Sequence, residues 1–399
     1  MATKSQMFAR ASNAADRAAA RQAASDRLTA WTQAPVGEDG ETYILDHYQE
    51  TAMSSNQKTP WQNADLFKPG QMDWIVKRAK ELGRTVHYAV IDTSSRPADH
   101  WKNAEGYRGD LSSNHTNEKT YGLRLRDHSS LIHQQLFHPD IGVLYPLVKE
   151  KLCTWSLHRI FTEVGYSSKA WIMDSLRHVL SMDHGADLLV VNMSFGAMSK
   201  VTDSYDAIFN PVQDKPVLLF ASAGNSGEGT GDTVMVPARC KGVTSIAAYD
   251  YKQKRADFSS VGPDVDLIGP GHKTPTYDRD GKLVEWSGTS SSGPLVAAQA
   301  ACIGLVIPEL ATQRTMHRAL LEYADDLGTA GRDNFYGNGL VNVADFIVDM
   351  DPPAPPPPAA AMPEKILLRG ATITPANREE GRKLVKGETA VVTIEGWLS

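Results

Sequence analysis

The sequence predicts an α/β protein: a mainly parallel central sheet covered by helices on both faces, forming a three-layer sandwich. Two observations carry this. Short, continuous apolar runs recur along the chain, at 86–91, 187–193, 217–221 and 243–248. Stretches with helical spacing alternate with them. Runs that lack polar alternation are strands buried on both faces, as parallel strands are when crossover helices cover the sheet.

The elements follow in order. Residues 8–31 are rich in Ala, Arg and Asp. Alanine favours helix but offers little apolar bulk, so this stretch predicts a helical arm. Residues 32–68, with scattered aromatics at Tyr43, Tyr48, Trp61 and Phe67, read as irregular. From Pro69 the pattern changes. Met72, Trp74, Ile75, Ala79 and Leu82 predict a helix that Gly83 stops, followed by a strand at Val86–Ile91. A helix near 128–137 leads to a strand near 141–148. Another near 168–183 leads to the strand at 187–193, and strands at 217–221 and 243–248 follow. Pro352–Pro358 reads as a stiff extended spacer, with an SH3-type ligand as the functional alternative. Beyond it, Lys365–Leu368 and Thr389–Ile394 resemble strands. A segment of about 36 residues is too small for its own core, so this β-rich tail docks, oligomerises or is a remnant of a larger module. The expected organisation is an N-terminal extension (1–68), a main domain (69–350), a Pro-rich linker (351–363) and the tail (364–399).

Composition narrows the function classes. The chain has 399 residues, 41% apolar and 22% charged, with a net charge of −6. That acidic balance argues against nucleic acid as the main partner. No apolar run reaches the roughly 18 residues of a membrane span. The polar, Ala-rich start lacks the apolar core of a secretory signal, and Cys153, Cys240 and Cys302 fit reduced thiols better than a disulfide framework or a zinc site. A cytoplasmic protein is therefore expected.

Four short motifs fall at strand ends or helix starts. Asp92 follows Ala89-Val90-Ile91. His128 opens the stretch Ser129-Ser130-Leu131-Ile132. Asn225 lies in Ala223-Gly224-Asn225-Ser226-Gly227, directly after a strand. Ser290 lies in Gly288-Thr289-Ser290-Ser291-Ser292-Gly293-Pro294, before an apolar helix. Taken singly, an Asp after a strand is a turn former and a Ser-rich stretch is an N-cap. Together they supply an orienting carboxylate, a base, an oxyanion donor and a nucleophile.

In this combination the chain resembles the subtilisin-like serine proteases, or subtilases. Further segments match: 254–263 and 266–271 before the serine, Val190-Val191-Asn192-Met193-Ser194-Phe195-Gly196 as a substrate-binding strand, and Tyr336–Asn342 as a closing motif. The likeness covers roughly 84–347. It implies that Ser290 attacks the scissile carbonyl, His128 takes its proton and Asp92 orients the imidazole. The Asn225 amide and the Ser290 backbone N–H would hold the oxyanion. Where the family writes His-Gly-Thr-His, this chain has His128-Ser129-Ser130-Leu131, which makes His115, in Asn114-His115-Thr116, the alternative base. His133 and His138 read as helix-surface or cap residues. The resemblance also implies an S1 pocket walled by Ser194, Phe195 and Gly196 on one side and by Ala223 and Gly224 on the other. Met235 stands at its base where many members have glycine. A side chain there would shorten the pocket and favour small P1 residues; the alternative is a shifted loop that leaves Met235 in the core. The family's strong calcium loop has no counterpart, so no cofactor is expected, with calcium left as the alternative.

The leading expectation is a serine endopeptidase acting on protein or peptide substrates. The alternative is a weak or inactive subtilase scaffold with a binding or structural role. The arm or the tail could serve a partner or self-association. A phosphate-loop reading of Gly224–Gly229 fails because no lysine follows at the required spacing.

Overall fold

The computed structural model describes residues 66–93, 104–117, 128–162, 165–227, 231–278 and 281–347, together with the strand backbone of 43–44 and 49–52. The chain divides into two units, Met1–Met350 and Asp351–Ser399. The second unit lies outside the described residues, and so do the expected helix at 8–31, the Pro-rich linker and the tail strands.

Strands β1 (Tyr43–Ile44) and β2 (Gln49–Ala52) precede helix α1 (Gln71–Leu82). Next come β3 (Val86–Asp92), β4 (Ser113–Asn114), α2 (His128–Phe137), α3 (Tyr145–Lys149), β5 (Cys153–Arg159), β6 (Tyr166–Ser167) and α4 (Lys169–Ser181). The chain continues through β7 (Leu188–Met193), α5 (Asp203–Phe209), β8 (Val217–Ser222), β9 (Thr244–Tyr249), β10 (Leu267–Pro270), β11 (Thr274–Tyr277) and β12 (Leu283–Ser287). Helices α6 (Thr289–Val306), α7 (Gln313–Glu322) and α8 (Val343–Phe346) close it.

Seven strands form the central sheet in the order β10-β9-β8-β7-β3-β5-β4, and every pairing in it is parallel. The three-layer α/β architecture expected from the sequence is the one observed. Successive side chains of a strand point to opposite faces, and β3 shows this directly. Val86, Tyr88 and Val90 join one core cluster with Ile132, Trp155 and the residues of α6. Ala89 and Ile91 join the other, with Ile172, Leu176 and Val191. β3 also sits where the strand order reverses, with β7–β10 on one side and β5 and β4 on the other. In such sheets ligands gather at the carboxyl ends of strands at the switch point. Asp92 is the last residue of β3.

Gly83 ends α1 in the left-handed region, at φ 64°, as the sequence predicts. Two expectations are corrected. The strand expected near 141–148 is instead helix α3, with Pro146 in its first turn, and the strand is β5 further on. β5 was missed because it is not uniformly apolar. Cys153, Trp155 and Leu157 face the core, whereas Thr154, Ser156 and His158 point the other way. Residues 32–68 are not wholly irregular either. β1 pairs with β6, and β2 joins β12 and β11 in a three-stranded antiparallel sheet, with Gln49 opposite Ser287 and Ala52 opposite Val284.

The polar face of β5 carries an unbroken line of hydrogen bonds. His87 Nδ1 meets Thr154 Oγ1 and its Nε2 meets Ser156 Oγ, both at 2.8 Å. Ser156 Oγ meets His158 Nε2 at 2.8 Å, and His158 Nδ1 meets Ser113 Oγ at 2.8 Å. Ser113 Oγ then meets His115 Nε2 at 2.7 Å. His184 stacks on His87, and His178 lies against both His115 and His158.

Candidate active site

Three elements carry the expected triad: Asp92 ends β3, His128 begins α2 and Ser290 lies in the first turn of α6. Asp92 is fully buried, and its Oδ1 accepts the Thr93 backbone N–H at 2.6 Å. The Thr93 hydroxyl in turn accepts the N–H of Ser129, which satisfies one of the donors that a helix start leaves without an intrahelical partner. That bond ties the first turn of α2 to the end of β3. It brings His128, itself fully buried, to Asp92: Nδ1 lies 2.8 Å from Oδ1 and 3.0 Å from Oδ2. The indole of Trp286 packs edge-on against the imidazole at 5.8 Å. A carboxylate on Nδ1 selects the tautomer that carries its proton there, leaving Nε2 as the basic atom.

Ser290 is in the first turn of α6, a helix whose every residue is buried. Its Oγ lies 3.4 Å from the carbonyl of Ser194, just beyond β7. Pro294 lies four residues on and has no N–H, so the intrahelical bond to the Ser290 carbonyl cannot form. The Ser194 hydroxyl donates to that carbonyl instead, at 3.3 Å, and itself accepts from Asn192 Nδ2 at 2.9 Å. Thus the loop after β7 holds the nucleophile's turn at both its side chain and its backbone.

Asn225 is 2% exposed and follows β8. Its Oδ1 accepts the Thr289 N–H at 2.8 Å and the Thr289 hydroxyl at 3.0 Å. Those two donors fix the orientation of the amide, so its NH2 group is turned away from Thr289. Thr289 Oγ1 also accepts the Gly224 N–H at 3.2 Å, and Ser222 Oγ donates to the Thr289 carbonyl at 2.8 Å. The residue before Ser290 is therefore locked to the end of β8 on both sides.

The other expected site residues fall as follows. Met235 is buried between Gly196 and Gly224. A Cβ on Gly196 would lie 2.7 Å from Met235 Cβ, and one on Gly224 would lie 3.0 Å from both its Cγ and Sδ. Met235 N–H bonds the Ala223 carbonyl at 3.0 Å, and Ala197 pairs with Val236. The thioether therefore fills the space between the two expected pocket walls, and only glycines there leave it room. The Phe195 ring turns instead into the core against Phe161. His115 bonds Ser113 in the histidine line, whereas His128 is the imidazole that Asp92 holds. His133 corrects the sequence expectation: it is buried, bonded to the Ser129 carbonyl and packed on Trp155. Burial holds it down to about 3. Its place on the inner face of α2 follows from the apolar neighbours Leu131, Ile132 and Leu136. Sequence reasoning also passed over Ser222, Thr289 and Thr93, whose signal was only their adjacency to a motif. Among the described residues, no group of three or more His, Cys, Asp or Glu could hold a metal ion.

The sequence pattern of the Subtilase family matches residues 157–339. Minor extracellular protease Epr of Bacillus subtilis is 27% identical over 290 residues, covering 70% of this chain and 41% of that protein. Subtilisin DY of Bacillus licheniformis is 35% identical over 156 residues, covering 39% of this chain and 55% of the relative. The Thermostable alkaline protease of Halalkalibacterium halodurans is 33% identical over 153 residues, 38% of this chain and 40% of that protein. The chain thus spans about half the length of the curated relatives it matches. These relatives overturn the cytoplasmic placement, since the first is extracellular by name. The physical reason is size. Cys153, Cys240 and Cys302 are free and buried, but a domain with so large a core needs no disulfides, so free thiols do not mark the compartment.

Proposed function

We propose that the chain is a serine endopeptidase that cleaves protein or peptide substrates outside the cell. One observation supports this most: a buried carboxylate grips Nδ1 of His128 at the start of α2, the helix that Gln135 bonds to Ser291, next to Ser290. In the proposed reaction, His128 Nε2 takes the Ser290 hydroxyl proton as Oγ attacks the scissile carbonyl. Asp92 stabilises the imidazolium that results. The Asn225 NH2 and the Ser290 backbone N–H receive the developing oxyanion, and His128 then returns the proton to the leaving amine. Because the Asn225 amide is already oriented by Thr289, its dipole needs no reorganisation as charge develops. Met235, set between Gly196 and Gly224, favours small or medium aliphatic P1 side chains over Phe and Tyr.

A fluorophosphonate probe with mass mapping tests the reading. The adduct is expected on Ser290 and absent from Ser290→Ala, which also loses peptide cleavage. His128→Ala should lose nearly all turnover while His115→Ala keeps most of it. An adduct on another serine, or undiminished cleavage by Ser290→Ala, would refute the assignment.

A further inference from the structure

A line of buried hydroxyls and one amide joins the helix of the base to the helix of the nucleophile. Gln135 is on α2, two turns beyond His128, and is fully buried. Its Nε2 donates to Ser291 Oγ at 2.9 Å. Ser291 directly follows Ser290. Ser291 Oγ meets Thr274 Oγ1 of β11 at 2.6 Å, and Thr274 Oγ1 donates to the Trp286 carbonyl of β12 at 3.2 Å.

With Thr274 as donor to the Trp286 carbonyl, the other directions follow. A carbonyl can only accept, so the one hydroxyl proton of Thr274 goes to Trp286. Ser291 must then donate its own proton across the 2.6 Å contact. That leaves the Ser291 oxygen to accept, and only the amide end of Gln135 can donate to it. The 3.3 Å approach of Ser291 to Gln135 Oε1 is the longer, secondary contact. All protons therefore point one way, from α2 through α6 and β11 to β12. Bonds in a buried chain of this kind polarise and strengthen one another. Thr276 Oγ1, also on β11, donates to the Leu131 carbonyl of α2 at 2.7 Å, so the same strand braces the same helix a second time.

We propose that Gln135 is a positioning residue: through Ser291 it sets the spacing between the His128 base and the Ser290 nucleophile. This inference rests on the peptidase reading above. Both reacting groups sit at the starts of separate helices, α2 and α6. The Gln135–Ser291 bond is a polar contact between these helices directly adjacent to Ser290. A displacement of about 1 Å at such a pair costs on the order of 100-fold in rate.

The test compares wild type, Gln135→Met and the pair Gln135→Met/Ser291→Ala in the full chain. Methionine nearly conserves volume, which keeps the core filled. Three quantities are read: kcat and KM on a peptide substrate, the rate of fluorophosphonate labelling at Ser290, and the thermal midpoint. Gln135→Met should lose about 10- to 100-fold in kcat and in labelling rate, with KM within about twofold. It should also melt lower, because Ser291 is left with a missing partner. In the pair variant no buried hydroxyl is orphaned, since Thr274 keeps Trp286, so the midpoint should recover while kcat stays low. Recovery of kcat together with the midpoint would show a purely structural role and overturn the proposal, as would an unchanged kcat in Gln135→Met. Failure of wild type to label at Ser290 would instead refute the peptidase reading, and this inference with it.

Discussion

Acidification to about pH 5 should destabilise this protein through its buried histidines, before catalysis is considered. Burial, and then the neighbouring His184 and Arg108, hold His87 down to about 3, with Asp110 opposing. His133 is likewise at about 3, and His158 is held well below its usual value by burial and by His178, His87 and His115. Asp174 and Asp183 face the outer members of the cluster, His115 and His184. In the unfolded chain each imidazole titrates near 6.5. Between about 6.5 and 3 the unfolded state therefore binds more protons than the native state, and stability rises with pH across that window. It is full above about 6.5 and declines as pH falls. At about pH 5 the unfolded state gains roughly 1.5 pH units per histidine, or about 2 kcal/mol each for His87 and His133. Together they remove about 4 kcal/mol, and His158 adds to the loss. Urea unfolding followed by circular dichroism at about pH 7.5, 6 and 5 measures this. His87→Gln can still bond both Thr154 and Ser156, and should flatten the slope below pH 6 by about 1.4 kcal/mol per pH unit. A flat stability profile from pH 7.5 to 5, or an unchanged slope in His87→Gln, would refute the reasoning.

Met235→Gly should open the space between Gly196 and Gly224 and raise kcat/KM for Phe at P1 by about 10- to 100-fold relative to Ala, because an aromatic ring then has apolar area to bury; a wild-type peptide-library profile already led by Phe or Tyr would defeat this. The same variant should melt lower, in line with the roughly 2–5 kcal/mol lost when a buried methionine is truncated. Ser194→Ala strands the Ser290 carbonyl and should cost about 1–3 kcal/mol in urea unfolding. Adding Pro294→Ala supplies the missing N–H and should recover part of that loss; a strictly additive double variant would mean that Ser194 does not serve that carbonyl. Removing residues 1–31 stops short of β2 and should leave a folded domain with activity equal to or above that of the full chain, which thermal melts and peptide cleavage check. Insoluble protein rescued by the segment in trans would show a folding chaperone instead.

The sheet was legible because four of its strands are mostly apolar and buried along their whole length, and helices α1, α2 and α4 have the expected spacing and stops. β5 was not, because half its side chains belong to a polar network that becomes favourable only when β3 and β4 bring His87 and Ser113 alongside. α3 read as a strand because Val143, Leu144, Leu147 and Val148 form a short apolar run, and length alone could not separate strand from buried helix. At the site, the meeting of Asp92 with His128 was implied by the resemblance to the subtilases. The supports were not. Nothing in the sequence links Ser194 to Pro294, or Gln135 to Ser291, because each pair is distant in the chain and meets only through tertiary packing.

The pairing of β2 with β12 has a consequence for the order of assembly. β2 leaves the ribosome before any strand of the central sheet, yet its partner lies near the end of the same unit. The seven strands of the central sheet can pair with one another as they emerge, while the bonding edge of β2 stays without its partner until residue 287 has been made. The strand that leads into Ser290 is therefore flanked on both sides only when the N-terminal and late segments coexist in one chain. A polypeptide halted before β12 would carry a nearly complete parallel sheet but neither the serine nor the strand that presents it.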